Sequence, residues 1–363
     1  MDDRQRPTLK QIADEAGVSV STVSLVLNNR PGVSAETRRE VRELLQRVGY
    51  KRDGQGRPAA ARSGALAFVV YDADAIEASH NPFFAEIQKG IEAEARSEGY
   101  ELRVVYAHER DDLSALVRKL KALHTLGVIL DASVMPQDKL RPFVDVDIPL
   151  VILDNEYPEA SLDSVVIDNV SGAHAAVQHL IDLGHQRIGI CSTSIPTHNF
   201  RQRETAAQEL MESSGLGAAD VFIRVRPTIP GSYADCLRAL KNVRSLPSAF
   251  FATNDIMASG LVRALHELAV QLPEEVSVVG FDDLSFCELM QPSLSTVRVF
   301  KSRMATLAVQ RLTERIVAVP PETVVIRIGT LLVPRASTAR ARAHEQGPAA
   351  AEQAAGGHPA DCA

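Results

Sequence analysis

The sequence lacks the features that mark a metal site, a disulfide-rich fold or a membrane span. It has no tryptophan, no run of about 18 apolar residues and only four cysteines, which are far apart: Cys191, Cys236, Cys287 and Cys362. This spacing disfavours both a zinc site and a disulfide framework, so we expect reduced thiols. The polar start at 1–6 lacks a secretory hydrophobic segment. We therefore expect a cytoplasmic protein with no membrane contact.

Motifs of catalysis are also missing. The sequence has no Gly-x-Ser-x-Gly, no phosphate loop and no His-Glu-x-x-His. His174, His179 and His185 are close in sequence, but their spacing does not put the first two on one helix face. We therefore expect neither a metal nor a cofactor, and a protein that is not an enzyme.

Charge divides the chain unequally. The net charge is −7, yet residues 1–62 hold 12 of the 39 Lys and Arg residues and 8 of the 46 Asp and Glu residues, a balance of +4. The remainder of the chain holds 27 Lys and Arg residues and 38 Asp and Glu residues, a balance of −11. A basic excess neutralises DNA phosphates, while an acidic remainder discourages non-specific adhesion to DNA. The N-terminal part is therefore the candidate DNA-binding segment.

Residues 8–48 show three short apolar patterns with helical spacing, the first of which ends at Gly17. Two helices joined by a Gly-containing turn, with hydroxyl residues at the start of the second, are typical of a helix-turn-helix. Its second helix lies in the major groove of DNA. Any other three-helix bundle is the alternative. Thr8 and Ser19 are the predicted caps of the first two helices, and the third helix is predicted to start at Ser34.

The second of these helices provides the predicted base contacts. We expect Val20, Ser21 and Leu25 to face the base edges, and nearby hydroxyl and amide side chains to contact phosphates. An inward Leu25 that adds to the core is the alternative. The other residues that we predict to contact DNA are Thr8, Leu9, Ser19, Thr22, Ser24, Asn28 and Ser34.

Two segments are unsuited to a packed core. Residues 50–64 are rich in Gly and Pro and predict a mobile linker. Residues 339–363 have hardly an aliphatic residue beyond Ala and predict a disordered tail. We therefore expect a helix-turn-helix DNA-binding domain at 1–49, then the linker, a two-lobed effector-binding and dimerisation domain at 65–338, and the tail.

From residue 65 the chain alternates short β-branched runs with helical segments. Such alternation is typical of parallel sheets with helices on both faces, and the strands are too many for one ordinary sheet. We therefore predict an α/β fold with two doubly wound parallel-sheet subdomains. Because such sheets bind ligands beyond the carboxyl ends of their strands, we place the ligand in the cleft between the halves. The predicted strands are 66–71, 102–106, 127–130, 150–153, 187–191, 221–225, 249–252 and 276–280.

Polar residues follow several of these strands. Sugars need many carboxylate and amide partners, with an aromatic face beneath the ring. Phe83, Phe84 and Phe286 could supply that face, although ordinary core packing is the alternative for each. The polar residues at the strand ends are Asp72, Asp154, Asn155, Asp168, Asn169, Asn254, Asp255, Asp282 and Asp283.

Both parts of the sequence resemble the LacI/GalR-type bacterial transcription regulators. The N-terminal motifs that carry the resemblance are 8–13 (TLKQIA), 16–19 (AGVS), 22–24 (TVS) and 33–38 (VSAETR). The later motifs are 81–84 (NPFF), 151–154 (VILD), 183–188 (LGHQRI), 253–255 (TND), 278–283 (VVGFDD) and 335–338 (RAST). The resemblance implies a DNA-binding headpiece and a periplasmic-binding-protein-like sensor.

The resemblance also implies which residues hold the effector. The family uses an Arg near the start of a helix, the Asn of an Asn-Asp motif and the first Asp after Gly-Phe. These fall on Arg203, Asn254 and Asp282. A surface charge is the alternative for Arg203, because the residues after it depart from the family pattern. With an aromatic and a strand-end candidate added, the predicted effector-binding residues are Phe83, Asp154, Arg203, Asn254 and Asp282.

The sequence departs from the family at two places that bear on DNA. At the position of Leu25, relatives commonly carry the Arg of a Thr-Val-Ser-Arg sequence. Leu cannot make the two hydrogen bonds with which an Arg holds a guanine. Relatives usually carry Pro-Asn in the linker and then a Leu that wedges into the minor groove. In this chain, residues 51–53 (KRD) include the positions of Pro-Asn, and Pro58 or Ala59 falls near the position of the wedging Leu. We therefore expect a weakly bent operator.

These observations predict a ligand-responsive, sequence-specific DNA-binding transcription regulator, and in particular a repressor. Its expected partners are a palindromic double-stranded DNA operator, a second copy of the chain and a small-molecule effector such as a sugar, because two headpieces match two half-sites by symmetry. One alternative is a solute-binding protein, which the headpiece and the missing export signal oppose. The other is a sugar-processing α/β enzyme, which the missing catalytic motifs oppose.

Overall fold

The computed structural model describes residues 9–27, 33–47, 64–72, 81–195, 197–219, 221–318 and 320–342. The chain divides into two compact units, Met1–Ser63 and Gly64–Ala363. Several predictions lie outside the described residues, namely those for Thr8, Asn28, the linker up to residue 63 and the tail beyond residue 342.

The first unit contains the helices α1 (Leu9–Glu15), α2 (Val20–Leu27) and α3 (Ala35–Arg47). Gly17, with a φ of 64°, follows α1, and the backbone N–H of Val18 donates to the carbonyl of Ala13 at 3.0 Å. Ser19 and Ser34 cap α2 and α3, because each Oγ accepts from the backbone N–H three residues on, at 3.1 Å. The helices share a small core of Ile12, Ala13, Val23, Val26, Val41, Leu44 and Leu45.

Strands and helices alternate through the described part of the second unit. Its strands are β1 (Ala65–Asp72), β2 (Glu101–His108), β3 (Thr125–Asp131), β4 (Leu150–Leu153), β5 (Asp163–Ile167), β6 (Ile188–Thr193), β7 (Phe222–Val225), β8 (Ala249–Ala252), β9 (Ser277–Val279), β10 (Thr296–Arg298), β11 (Val325–Ile328) and β12 (Leu331–Val333). Its helices are α4 (Pro82–Ser97), α5 (Leu113–Ala122), α6 (Arg141–Val144), α7 (Asn169–Asp182), α8 (His198–Ser213), α9 (Ile229–Leu240), α10 (Asp255–Glu267) and α11 (Lys301–Ala318).

The strands form two parallel sheets, which define two lobes. The first lobe has the strand order β11-β5-β4-β3-β1-β2, and the second lobe has the order β7-β6-β8-β9. The antiparallel pair of β10 and β12 adjoins the second sheet, because single bridges join Val279 to Ser295 and Asp282 to Arg298. The predicted fold class, with two doubly wound parallel-sheet subdomains, is confirmed.

All eight predicted strands are present, and each end lies within two residues of its predicted position. The sequence did not predict β5, β10, β11 or β12. The last three contain only three or four residues each. β5 begins with two polar residues, Asp163 and Ser164, which are nevertheless buried. It therefore lacks the continuous apolar run that marks β1 and β4.

The chain passes between the lobes at three places: between β5 and β6, between β10 and α11, and between β11 and β12. α11 packs against α4 and against β3, β4 and β5, so it belongs to the first lobe although the residues just before it belong to the second. Connections of this kind allow two lobes to open and close about a hinge.

Hydrogen bonds continue past residue 338, after which the sequence predicts a disordered tail. The backbone N–H of Ala339 donates to Ser277 Oγ at 3.0 Å, and that of Ala341 donates to the carbonyl of Leu183 at 2.9 Å. The contacts of the second lobe therefore extend to residue 341, beyond the predicted boundary.

Candidate functional site

A cleft lies at the carboxyl ends of strands from both sheets. It encloses about 680 Å³ of empty space, part of which is open to solvent. All five predicted effector-binding residues line it: Phe83, Asp154, Arg203, Asn254 and Asp282. The other described residues that line it are Tyr71, Asp72, Asn81, Phe84, Ser133, Val134, Thr197, Asn199, Phe200 and Pro227. The fold thus brings the predicted residues of both lobes to one cavity.

Arg203, on the second turn of α8, is buried and fixed from several sides. Its Nε donates to Asn169 Oδ1 at 2.8 Å, and its Nη1 donates to the carbonyl of Thr253 at 2.8 Å and to Asp282 Oδ1 at 3.2 Å. Its guanidinium also stacks on the ring of Phe281, 3.7 Å from the ring centroid. Arg203 is therefore not the surface charge that was its alternative interpretation.

Asp282 and Asn254 stand beside Arg203 on the second-lobe wall. Asp282 has a φ of 112°, a backbone conformation that side chains rarely adopt. Burial raises the pKa of its carboxyl, while the positive charges of Arg203 and Lys301 oppose that rise. Asn254 caps α10, because its Oδ1 accepts from the backbone N–H of Met257 at 2.8 Å. This bond leaves the Nδ2 of Asn254 to serve as a donor to a ligand.

Asp154 follows β4 and faces the second lobe. Its backbone carbonyl accepts from Asn199 Nδ2 at 2.8 Å, a bond that joins the two lobes. Burial raises the pKa of the Asp154 carboxyl well above its ordinary value, Asp131 raises it further, and Arg203 across the cleft lowers it. Among the described residues, no hydrogen-bond partner lies near the Oδ1 of Asp154.

The sequence did not predict Tyr71 and Ser133, which line the cleft, or Asp131, whose charge acts on the carboxyl of Asp154. Asp131 ends β3, is 1% exposed, and its Oδ1 accepts from the backbone N–H of Ser133 at 3.1 Å. Burial raises the pKa of Asp131 to about 7, an effect to which Asp72 adds and which the bond from Ser133 opposes. The sequence carried a signal for it, because Asp131 directly follows a predicted strand, as Asp154 does.

Phe83 and Phe84 line the cleft at the start of α4. Asn81 caps this helix by accepting from the backbone N–H of Phe83 at 3.0 Å, and the two rings meet edge to face at 5.5 Å. Phe83 is only 6% exposed, so it serves the core as well as the cleft. Phe286 is not among the described residues that line the cleft, and it packs against the hydrophobic core, which was its alternative interpretation. Phe200 is the lining aromatic from the second lobe.

Two other strand-end carboxylates are used inside the fold. The Oδ1 of Asp255 accepts from Thr296 Oγ1 at 2.6 Å. Asp283 forms ion pairs with Arg298 at 2.6 Å and with Arg335 at 2.8 Å, which lower the pKa of its carboxyl despite its partial burial. Of the two adjacent Asp residues after β9, only the first therefore faces the cleft.

In the first unit, four of the residues predicted to contact DNA have described side chains. Ser19, Val20 and Ser34 are exposed, and Val20 is an apolar side chain at 43% exposure. Thr22 is half-buried, with its Oγ1 2.9 Å from the Oγ of Ser19. An exposed helix start is what a recognition helix presents to DNA. The remaining predicted contacts in α1 and α2 have side chains outside the described part of the structure: Leu9, Ser21, Ser24 and Leu25.

The described residues contain no group of three or more His, Cys, Asp or Glu side chains arranged to hold a metal ion. His179 and His185, from the histidine cluster in the sequence, bond instead to Thr338 Oγ1 at 3.0 Å and to Ser248 Oγ at 2.9 Å. None of the described helices combines the length and the apolar character that a membrane crossing needs.

Comparison with known proteins identifies the family. Residues 8–53 match the model described as bacterial regulatory proteins, lacI family, and residues 177–338 match the periplasmic binding protein-like domain. The HTH-type transcriptional repressor PurR of Haemophilus influenzae is 29% identical over 311 residues, which cover 85% of this chain and 91% of that protein. PurR of Pasteurella multocida is 29% identical over 336 residues, which cover 91% of this chain and 98% of that protein. The chain belongs to the LacI family.

Solved structures of transcription regulators have the same fold. The transcriptional regulator CelR in complex with cellobiose is 27% identical, with a TM-score of 0.69, over 92% of this chain and 100% of that one. A LacI family transcriptional regulator from Enterococcus faecium with bound ribose is 25% identical, with a TM-score of 0.67, over 76% of this chain and 100% of that one. The family resemblance of the sequence motifs is confirmed, and this LacI-family chain is a DNA-binding transcription regulator.

Proposed function

We propose that this LacI-family chain is a ligand-responsive repressor, which binds a palindromic operator as a homodimer and a small hydroxylated molecule, such as a sugar, in its cleft. The cleft itself carries the proposal, because Arg203 and Asp282 of the second lobe line the same cavity as Phe83 and Asp154 of the first. A buried guanidinium and carboxylate make charge-assisted bonds to hydroxyl groups, and an aromatic ring packs against the apolar face of a sugar.

The similarities support this assignment. Both PurR relatives are repressors, and the ligands of the two structural relatives are cellobiose and ribose. The basic balance of residues 1–62 supports DNA binding by a domain at 1–49. We assign the linker to 50–64, and effector binding and dimerisation to the two lobes from residue 65 to residue 341, to which the contacts of the second lobe extend.

Ligand binding would act through the angle between the two lobes. A ligand that touches both walls binds the closed lobes better than the open ones, and so shifts the population towards the closed state. Among the described residues, hydrogen bonds already cross between the lobes, such as the bond from Asn199 to the carbonyl of Asp154 and the bond from Lys301 Nζ to the carbonyl of Asp282 at 2.7 Å. A coupling of about 1 to 3 kcal/mol to DNA binding is enough for regulation.

Two other functions remain as alternatives. A solute-binding protein would share the two-lobed cleft but would have no use for a DNA-binding headpiece. An enzyme that processes sugars would turn over its ligand, and the relatives described above are transcription regulators. Incubation of the protein with candidate sugars, followed by analysis for products, separates a sensor from an enzyme.

The proposal is tested in two steps. Selection of binding sites from random DNA should yield one palindromic sequence, which matches two headpieces. A thermal-shift screen of sugars and nucleosides should then identify a ligand, since a ligand at 100 times its Kd adds about 2.7 kcal/mol of stability. Enrichment of no sequence, or formation of product from the stabilising sugar, would count against the proposed function.

A further inference from the structure

Lys301, the first residue of α11, is the one buried lysine in the described part of the chain, at 5% exposure. A buried ammonium group loses its hydration, and the start of a helix is the end that disfavours a positive charge. An apolar side chain of similar length would fill the same space without either cost. The charge at this position therefore points to a task that packing alone does not explain.

The ammonium group of Lys301 holds one turn of the second lobe. Its Nζ donates to the backbone carbonyl of Asp282 at 2.7 Å and to that of Asp283 at 3.1 Å. These two consecutive residues both have a positive φ, of 112° and 50°, which is unfavourable for a residue with a Cβ atom. Hydrogen bonds from a charged donor are strong, so Lys301 offsets the backbone strain of the turn that it holds.

Lys301 itself belongs to the first lobe, through the packing of α11 on α4. The two helices approach closely, because a Cβ atom added at Gly90 would lie 2.7 Å from the Cβ of Ala305. One turn earlier on each helix, Lys301 Nζ lies 3.4 Å from Oε2 of the half-buried Glu86. The same Nζ lies 5.8 Å from the centre of the Phe83 ring. The ammonium group thus has partners in both lobes.

Lys301 lies behind both walls of the cleft. Phe83 lines the cleft from the first lobe and Asp282 lines it from the second, whereas Lys301 is not among the described residues that line it. The chain crosses from the second lobe to the first just before Lys301, between β10 and α11. Bonds across this crossing fit one angle between the lobes, and they favour that angle. The bond from Asn199 to the carbonyl of Asp154 shows that the two walls are in contact at this angle.

We propose that Lys301 is a positioning residue, which clamps the two lobes in the closed arrangement and holds Asp282 towards the cleft. The inference rests on the proposed function, because the clamp matters for regulation only if the angle between the lobes governs DNA binding. Lys301 contacts no ligand. Its ammonium group acts through the carbonyls of Asp282 and Asp283, and its loss lets the lobes open at the crossing before α11.

The test measures the distance between the lobes without any ligand. Spin labels are attached at Lys121→Cys in α5 and at Lys241→Cys after α9, both exposed positions, in a chain with Cys362→Ser. The cysteines at 191, 236 and 287 are buried and escape labelling. Pulsed electron paramagnetic resonance then gives the distribution of distances. We expect one distance to dominate in this labelled chain.

Lys301→Met keeps an unbranched apolar side chain and removes the ammonium group. In the labelled chain, we expect this substitution to create a second distance at the expense of the first, because the open arrangement becomes populated. Lys301→Gln should do the same, since its side chain is uncharged and one atom shorter, and it replaces Lys301→Met should that variant not fold. An unchanged distribution of distances would overturn the proposal.

Arg311→Met is the matched control, because it removes another buried cation from the same helix. The partners of Arg311 are the carboxylates of Asp163 and Glu314 and the carbonyl of Glu322, all in the first lobe. We expect Arg311→Met to lower the unfolding temperature and to leave the distance between the lobes unchanged. The same second distance in Arg311→Met and Lys301→Met would indicate a general loosening of α11 and would refute the clamp.

Operator affinity separates this proposal from the proposed function. Fluorescence anisotropy is measured with the operator that wild type selects from random DNA, in the absence of sugar. We expect Lys301→Met to change operator affinity at least about 5-fold, and Arg311→Met to leave it unchanged. A second lobe distance with unchanged operator affinity would support the clamp and contradict the regulatory function. An unchanged lobe distance, in a protein whose operator affinity responds to a sugar, would refute the clamp and leave the proposed function in place.

Discussion

Asp282 and Asp283 are adjacent carboxylates with different tasks. The first lines the cleft and pairs with Arg203 at 3.2 Å, and the second pairs with Arg298 and Arg335. We therefore expect Asp282→Asn to weaken the binding of a neutral sugar about 10- to 100-fold, the loss of one charged hydrogen bond of about 1.5 to 3 kcal/mol. Asp283→Asn should bind the sugar like wild type. Isothermal titration calorimetry on both variants measures the difference, and equal losses would refute the assignment.

Asp131 gives the protein a pH dependence of defined sign. The ordinary pKa of its carboxyl is 3.8, and burial raises the pKa to about 7 in the folded chain. The folded state thus binds this proton more tightly, so the contribution of Asp131 to stability falls as pH rises from about 4 to about 7 and is constant above that.

Asp131→Asn keeps the side-chain shape without the charge. Relative to wild type, we expect it to raise the free energy of unfolding by a few kcal/mol at pH 8 and by less at pH 5. Urea denaturation followed by circular dichroism at both values measures the difference. A variant that differs from wild type by the same amount at pH 5 and pH 8 would show that Asp131 titrates normally.

Leu25 bears on which bases the protein prefers. An Arg at this place would hold guanine O6 and N7 with two bonds, whereas Leu offers only apolar contact, for example to a thymine methyl. We expect the selected operator to lack a guanine preference at the matching position, and Leu25→Arg to gain one worth about 1 to 3 kcal/mol. Selection of binding sites from random DNA with both proteins tests this prediction. A strong guanine already selected by wild type at that position would contradict the prediction.

At the scale of elements, the sequence predicts the eight strands with apolar runs and the three headpiece helices, because both patterns are local. It does not predict β5 or the short strands β10, β11 and β12, whose pairing depends on partners distant in the chain. The residues of the cleft also divide into those with a local sequence signal and those without one. Residues after apolar strands were predictable, and Asp131 was missed although it follows such a strand. Asn199 could not be predicted, because its bond to Asp154 depends on how the lobes meet.

The packing of α7 on the second lobe supports the effector site. A Cβ atom added at Gly172 would lie 2.7 Å from ring atoms of Phe281, whose ring lies under the guanidinium of Arg203. Gly172→Ala should therefore displace Phe281, lower stability by about 1 to 3 kcal/mol and weaken sugar binding.

Gly127→Ala is the control for this substitution. Its added Cβ would meet the side chain of Leu312 at 2.7 Å, within the core of the first lobe. Thermal unfolding and sugar titrations on both variants should show that both lose stability, while only Gly172→Ala loses affinity. Unchanged affinity in Gly172→Ala, at comparable destabilisation, would refute the role of Phe281.

At the scale of the whole molecule, the distribution of charge and the connections between the lobes both suit a ligand-responsive DNA-binding protein. The basic excess lies in residues 1–62 and the acidic excess in the remainder, so one part is suited to DNA and the other is repelled by it. The chain crosses three times between the lobes that border the cleft. A ligand held by both lobes can therefore change the angle between them without unfolding either.

The most direct test is a fluorescence-anisotropy titration of the protein with its selected operator, with and without the neutral sugar that binds most tightly. We expect the sugar to change operator affinity about 5- to 150-fold in wild type and in Asp283→Asn. In Asp282→Asn, the same sugar concentration should have little effect. A sugar that saturates the cleft of wild type and leaves operator affinity unchanged would contradict the proposed coupling between cleft and DNA.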